Sequence, residues 1–250
     1  DNSHVIGEFL PQVECAGKLD QTTRDFLEQQ PTLPCIYVAL GSNVKPDAQL
    51  LHVMAQGLSG PWRTIWSVPQ ECHSLLPSLH ARFLVLSWAP QLALLNSPHV
   101  RAFVSHCGNN SCNEALATGT PIIGLPSIPG DQWFNARQLE LLGIGKFLDK
   151  TTVEAEELHD AIKDVLESAD VARRLRVVRD RIRVSKPIHT AVRLVEAAGA
   201  SASLQAVKTR QPQRPRRAKS APVVIAATAA VIGWLWIRSA LFSCMQNKHR

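Results

Sequence analysis

The residues with the clearest chemical potential fall between Trp88 and Gln132. A short apolar run, Ala102–Val104, leads into the turn-rich segment SHCGNNSCNE (105–114), which opens a helix. A second apolar run, Pro121–Leu125, ends in PSIPGDQ (126–132). A strand, a Gly/Asn/Ser turn and a helix N-terminus together make an anion site. The first-turn N–H groups have no partner within the helix, and the helix dipole favours negative charge there. A nucleotide diphosphate is the expected anion. Each residue also has an ordinary reading. Trp88 would be core, His106 a satisfied buried histidine, and Glu114 an acid favoured by the dipole in a first turn. Asp131 would be the N-cap of a helix starting at Gln132. Together, at these spacings, they point to a binding site.

The elements that must position these residues can be read from periodicity. PCIYVALGS (34–42) is a buried strand ended by Gly41-Ser42, and Asp47 caps a helix to Leu58. Strands are expected at Thr64–Val68, Phe83–Leu86, Ala102–Ser105 and Ile122–Leu125, with a last short one near Lys146–Leu148. Helices are expected at Gln91–Leu95, Asn110–Thr118 and Gln132–Leu142, and three more follow, the last from Ile188 to Ala198. Thr151 and Glu154 have the spacing of a capping box for the first of these three. Strands alternating with helices mean βαβ units and a Rossmann-like, doubly wound parallel sheet. Ligands bind such sheets beyond the carboxyl ends of the strands. Gly41-Ser42, Ser87-Trp88, His106–Ser111 and Pro129–Gln132 all follow strand ends, so they should converge on one edge.

Composition bounds the rest. Of 27 Lys/Arg, nine lie from Lys208 to Arg250 with no Asp/Glu among them. The first 207 residues therefore hold 18 Lys/Arg against 21 Asp/Glu, or −3. A mildly acidic globular part argues against nucleic acid as a partner. The six cysteines (Cys15, Cys35, Cys72, Cys107, Cys112, Cys244) show no metal-ligand spacing and read as reduced, mostly buried thiols. Residues 1–30 read as an interdomain connector, 31–198 as the binding domain and 199–220 as a flexible basic linker. Residues 221–243 read as a transmembrane helix and 244–250 as a short tail. The 17 uncharged residues from Ala221 to Ile237 span about 26 Å at 1.5 Å each, against a hydrocarbon core of ~30 Å. Six Lys/Arg before the span and Lys248 and Arg250 after it place the domain on the cytosolic side of a single-pass membrane protein. The chain begins at Asp1 without Met, consistent with the downstream part of a longer protein.

WAPQ (88–91), HCGxNS (106–111) with Glu114 three residues on, GTP (119–121) and DQ (131–132) closely resemble the donor-binding signature of UDP-dependent glycosyltransferases. The resemblance is to the plant secondary-product and animal glucuronosyl types. YVALGS (37–42), TIW (64–66) and VIG (5–7) also fall where that family has them, so it covers about residues 1–195. It implies a two-Rossmann, GT-B type architecture of which this chain is the C-terminal, donor-binding half. Carried over, Trp88 stacks on uracil, with the Ala89 backbone and Gln91 at base and ribose. His106 contacts the diphosphate, with Gly108, Asn110 and Ser111 around it and Ser42 completing the cradle. Glu114 takes the ribose hydroxyls, and Asp131 and Gln132 the sugar hydroxyls. The residue types suit these roles: a flat indole covers a nucleobase face, and a carboxylate accepts two hydroxyl hydrogen bonds.

Two departures bear on the sugar. Asn109 stands where plant members have Trp and animal members often Thr, which alters the sugar-side contact, and the loop before DQ is one residue longer. UDP-glucose is the default donor. The resemblance further implies an inverting, metal-independent transferase with no cofactor beyond the UDP-sugar. It assigns no catalytic base to this chain; the base and the pocket for a small, lipophilic acceptor belong to an N-terminal domain or a partner subunit. A donor-binding subunit of a two-subunit transferase and a non-catalytic, membrane-tethered UDP-sugar binder are the alternatives.

Overall fold

A computed structural model of the chain describes residues 17–41, 44–127, 130–185 and 187–208. Its chain order is α1 (Gln21–Glu28), β1 (Cys35–Ala39), α2 (Ala48–Gly57), β2 (Arg63–Ser67), a 3₁₀ turn (Gln70–Leu75) and β3 (Phe83–Leu86). Then come α3 (Gln91–Leu95), β4 (Val100–Ser105), α4 (Asn109–Thr118), β5 (Ile122–Gly124), α5 (Asp131–Leu141) and β6 (Gly145–Phe147). Three helices close the described chain: α6 (Ala155–Glu167), α7 (Ala169–Ser185) and α8 (Pro187–Lys208).

The six strands form one sheet in the order β3-β2-β1-β4-β5-β6, with every neighbouring pair parallel. β1 and β4 are wholly or almost wholly buried, as strands covered on both faces must be. One face is packed by α2 and α6, whose Leu51, Met54, Leu58, Leu158 and Ile162 meet Ile36, Val38, Val104 and Ile123. The other carries α1, α3, α4, α5 and α7, with Leu94, Leu116, Leu139 and Leu175 against Tyr37, Ile65, Phe103 and Ile122. Strand order reverses between β1 and β4, so the ends of these two strands flank the crevice where this topology binds ligands.

The expected α/β sheet is therefore present, but the expected transmembrane helix is corrected. Among the described residues no helix is long and apolar enough to cross a membrane. α8 has the length, at 22 residues, but it is rich in Ala and carries Arg193 and Glu196. The segment 221–243 and the tail 244–250 lie outside the described residues, as do 1–16 and 209–220. α8 also runs through Gly199 to Lys208 instead of ending at Ala198. A stretch of Ala, Ser, Leu and Gln needs no apolar stripe to favour a helix.

Smaller differences follow from local chemistry. The N-cap of α6 is Glu154, whose backbone N–H donates to the Glu157 carboxylate at 3.0 Å, so the capping acid sits three residues beyond the expected place. Thr151 instead donates to Asp149 through its backbone N–H, 2.9 Å, and its hydroxyl, 2.7 Å.

Candidate functional site

β4 ends at Ser105, and the next three residues build the turn into α4. Cys107 has φ +60°, the one non-glycine in the left-handed region among the described residues. Three contacts hold it there. Its N–H donates to the Ser105 hydroxyl at 3.1 Å, and its carbonyl accepts from Asn135 Nδ2 at 3.0 Å. Its thiol is buried in the core beside α4. A left-handed residue costs a non-glycine about 1–3 kcal/mol, so the surroundings must impose it. The effect is to turn the backbone so that Gly108 caps α4 and His106 projects back toward β1.

His106 lies between two glycines. A Cβ placed on Gly41 would stand 2.9 Å from its Nε2, and one on Gly108 only 2.5 Å from the same atom. Gly41 also has φ +89°, so both space and backbone select glycine at the end of β1. The imidazole is half-buried, and its Nδ1 is shielded without a hydrogen-bond partner among the described residues. Burial pushes its pKa below the ordinary histidine value, while the Ala39 backbone and the Asp131 carboxylate pull the other way. The ring is thus neutral near pH 7, and an arriving anion would raise its basicity.

α4 begins at Asn109, so the N–H groups of Asn109, Asn110 and Ser111 have no carbonyl one turn back. The first such bond in the helix is from Cys112 N–H to Gly108 O, 3.0 Å. Glu114 is the sixth residue of α4, beyond its first turn, and no acid stands in that turn. Attraction to the helix dipole therefore does not explain it. Its partner in the structure is Gln91, whose Nε2 donates to Glu114 Oε2 at 2.7 Å and to Ser111 Oγ at 3.1 Å. Burial, and then the Glu114 charge, raise the pKa of the Tyr37 phenol in the middle of β1.

Trp88 is no core residue. It is 75% exposed, whereas Ala89 beside it is buried. The chain runs from β3 at the sheet margin through Trp88 to α3, which packs on α4. On the far side, α5 starts at Asp131, with Gly130 at φ +119° as its N-cap. Asp131 is thus the first helical residue rather than the cap; it is exposed, and its charge acts on His106. Gln132 accepts the Ser127 N–H through Oε1 at 2.9 Å.

The structure therefore joins Gln91, Ser111 and Glu114 directly and sets His106, Gly108, Asn109 and Asn110 around one helix terminus, with Asp131 in electrostatic reach. Trp88 shares the edge without a bonded link to them, and Ser42 lies outside the described residues. Sequence reading missed Ser105, Ser127 and Asn135, which hold the loops. Only Asn135 left a trace, standing four residues after Asp131 and so on the same side of α5. Cys35, Cys72, Cys107 and Cys112 are buried free thiols. Among the described residues no three His, Cys, Asp or Glu side chains group to hold a metal ion.

A doubly wound parallel sheet with a glycine-flanked histidine and a helix N-terminus at its switch point has the architecture in which open α/β sheets take ligands. Comparison with known proteins identifies the family. Residues 5–198 match the model of the UDP-glucoronosyl and UDP-glucosyl transferase family, and the chain belongs to it. It is similar to an ecdysteroid UDP-glucosyltransferase of Spodoptera littoralis nuclear polyhedrosis virus, at 31% identity over 71% of this chain and 35% of the viral protein. Among solved structures it is similar to the glycotransferase of kitacinnamycin (27% identity, TM-score 0.60, 66% of this chain and 42% of that one). It is similar also to Os79 from O. sativa in complex with UDP (26% identity, TM-score 0.56, 61% of this chain and 37% of that one). The chain thus spans well under half the length of these relatives.

Proposed function

We propose that this chain binds the UDP-sugar of a glycosyltransferase and serves hexosyl, by default glucosyl, transfer to an acceptor hydroxyl. The observation that carries the reading is His106, held between Gly41 and Gly108 at the N-terminus of α4 with a shielded, unpartnered Nδ1. Such an atom costs about 1–3 kcal/mol unless a ligand or solvent satisfies it. The family membership and the kinship to a structure holding UDP support the same ligand.

In the reaction proposed, an acceptor oxygen attacks the anomeric carbon while a base removes its proton. The bond from that carbon to the β-phosphate oxygen breaks, UDP leaves with the electron pair, and the configuration inverts. Charge growing on the β-phosphate is met by the first-turn N–H groups of α4 and by His106, with no metal required. Trp88 covers the uracil with the Ala89 backbone beside it, and Glu114 holds the ribose with Gln91 beside it. Asp131, Gln132 and Asn109 face the sugar, and Ser42 completes the phosphate cradle. The base and the pocket for a small acceptor come from an acceptor-binding half, either on the same polypeptide or on a partner subunit. The fraction of the relatives' length that this chain spans supports that division.

A thermal melt tests the binding. Saturating UDP should raise the melting temperature, as a ligand at 100 times its Kd stabilises by about 2.7 kcal/mol. The double variant His106→Ala/Glu114→Ala should lose the effect. An unaltered chain whose melting ignores UDP would refute the assignment.

A further inference from the structure

Gln91 is the first residue of α3, yet its side chain ends on a different helix. Its amide nitrogen donates to Glu114 Oε2 at 2.7 Å and to Ser111 Oγ at 3.1 Å. A primary amide nitrogen carries two protons, so both are committed. Three consequences follow for the acceptors. Glu114 is held through one carboxylate oxygen and keeps Oε1 for a ligand hydroxyl. Ser111 receives a proton on Oγ, so its own O–H can turn outward and donate to an anion at the start of α4. Both are set at once, because Ser111 and Glu114 lie three residues apart on one face of the helix.

We infer that Gln91 is a positioning residue that acts through Glu114 and Ser111, coupling the nucleoside-side loop after β3 to the phosphate-binding end of α4. The inference rests on the UDP site proposed above. The contacts lie in a partly buried setting, where a hydrogen bond to a carboxylate is stronger than in water. A Glu114 side chain fixed before the ligand arrives has less rotamer freedom to lose on binding.

Calorimetric UDP affinities across a mutant cycle on the 250-residue chain test this. Gln91→Ala should weaken UDP about tenfold, the effect of losing a hydrogen bond to a charged group. In a Glu114→Ala background the same change should act by no more than about twofold, within ordinary additivity error. A second pair covers the case in which Gln91→Ala fails to fold. Gln91→Glu opposes two carboxylates and should weaken UDP, while Gln91→Glu/Glu114→Gln rebuilds the bond with reversed polarity and should recover much of the loss. Equal, independent losses in both backgrounds, with no recovery in the swap, would mean that Gln91 works only by direct contact and would overturn the inference. UDP binding with additive losses overturns the coupling alone. No UDP binding by the unaltered chain overturns the site and the coupling together.

Discussion

His106 is the residue at which burial, shape and charge meet. Its ring fills the gap left by Gly41 and Gly108, and burial depresses its pKa despite the Ala39 backbone and Asp131. The sign of the pH effect follows. An unfolded chain takes up this proton near the ordinary histidine value of about 6.5, while the folded chain resists until lower pH. The stability gained by keeping His106 neutral is complete above about pH 6.5 and is lost as pH falls toward the depressed folded value. Melting temperatures of the ligand-free chain should thus drop between about pH 7 and 5.5, and drop less in His106→Gln. Parallel pH curves for the two chains would remove His106 as the cause. At this scale residue type and spacing set His106, Glu114 and Asp131 at the carboxyl-end edge of the sheet, where the structure also has them. Their bonding was not legible. The Gln91–Glu114 pair is separated by 23 positions, and periodicity says nothing about which amide reaches which carboxylate.

At the scale of elements, the apolar runs mark the strands because a parallel sheet covered on both faces has no polar side to alternate with. All the expected strands form, and α4 and α5 each start one residue earlier than expected. What the pattern could not show is how the loops are held. Cys107 adopts a glycine-like φ because Ser105, Asn135 and the core fix it, and nothing in the letters HCG announces that. Asn135 is fully buried, and its Nδ2 bond to the Cys107 carbonyl ties α5 to the turn before α4. Asn135→Ala should therefore destabilise the domain by about 1–3 kcal/mol, the cost of stranding a buried carbonyl. It should also weaken UDP, because the turn that aims His106 loses a support. Denaturant melts and UDP titration of the variant check this, and an unchanged affinity would separate the tie from the site. The capping of α6 and the extent of α8 were misplaced for related reasons: either Thr151 or Glu154 can cap, and Ala/Ser-rich sequence is helical without a stripe.

At the scale of the whole molecule, the order β3-β2-β1-β4-β5-β6 brings four separate loops to one edge. The loop after β1 supplies Gly41, that after β3 Trp88 and Gln91, that after β4 His106 and the turn into α4, and that after β5 Asp131 and Gln132. A chain covering 35% of a viral glucosyltransferase thus brings to one edge most of the residues that the proposed function assigns to the donor. In the proposed complex the diphosphate of UDP sits on the N-terminus of α4 beside His106. Backbone amide resonances of the nitrogen-15-labelled chain, followed during UDP titration, test it most directly. The largest shifts should fall at Asn109, Asn110, Ser111 and Gly41. Shifts centred away from the carboxyl ends of β1 and β4, or none at saturating UDP, would contradict it.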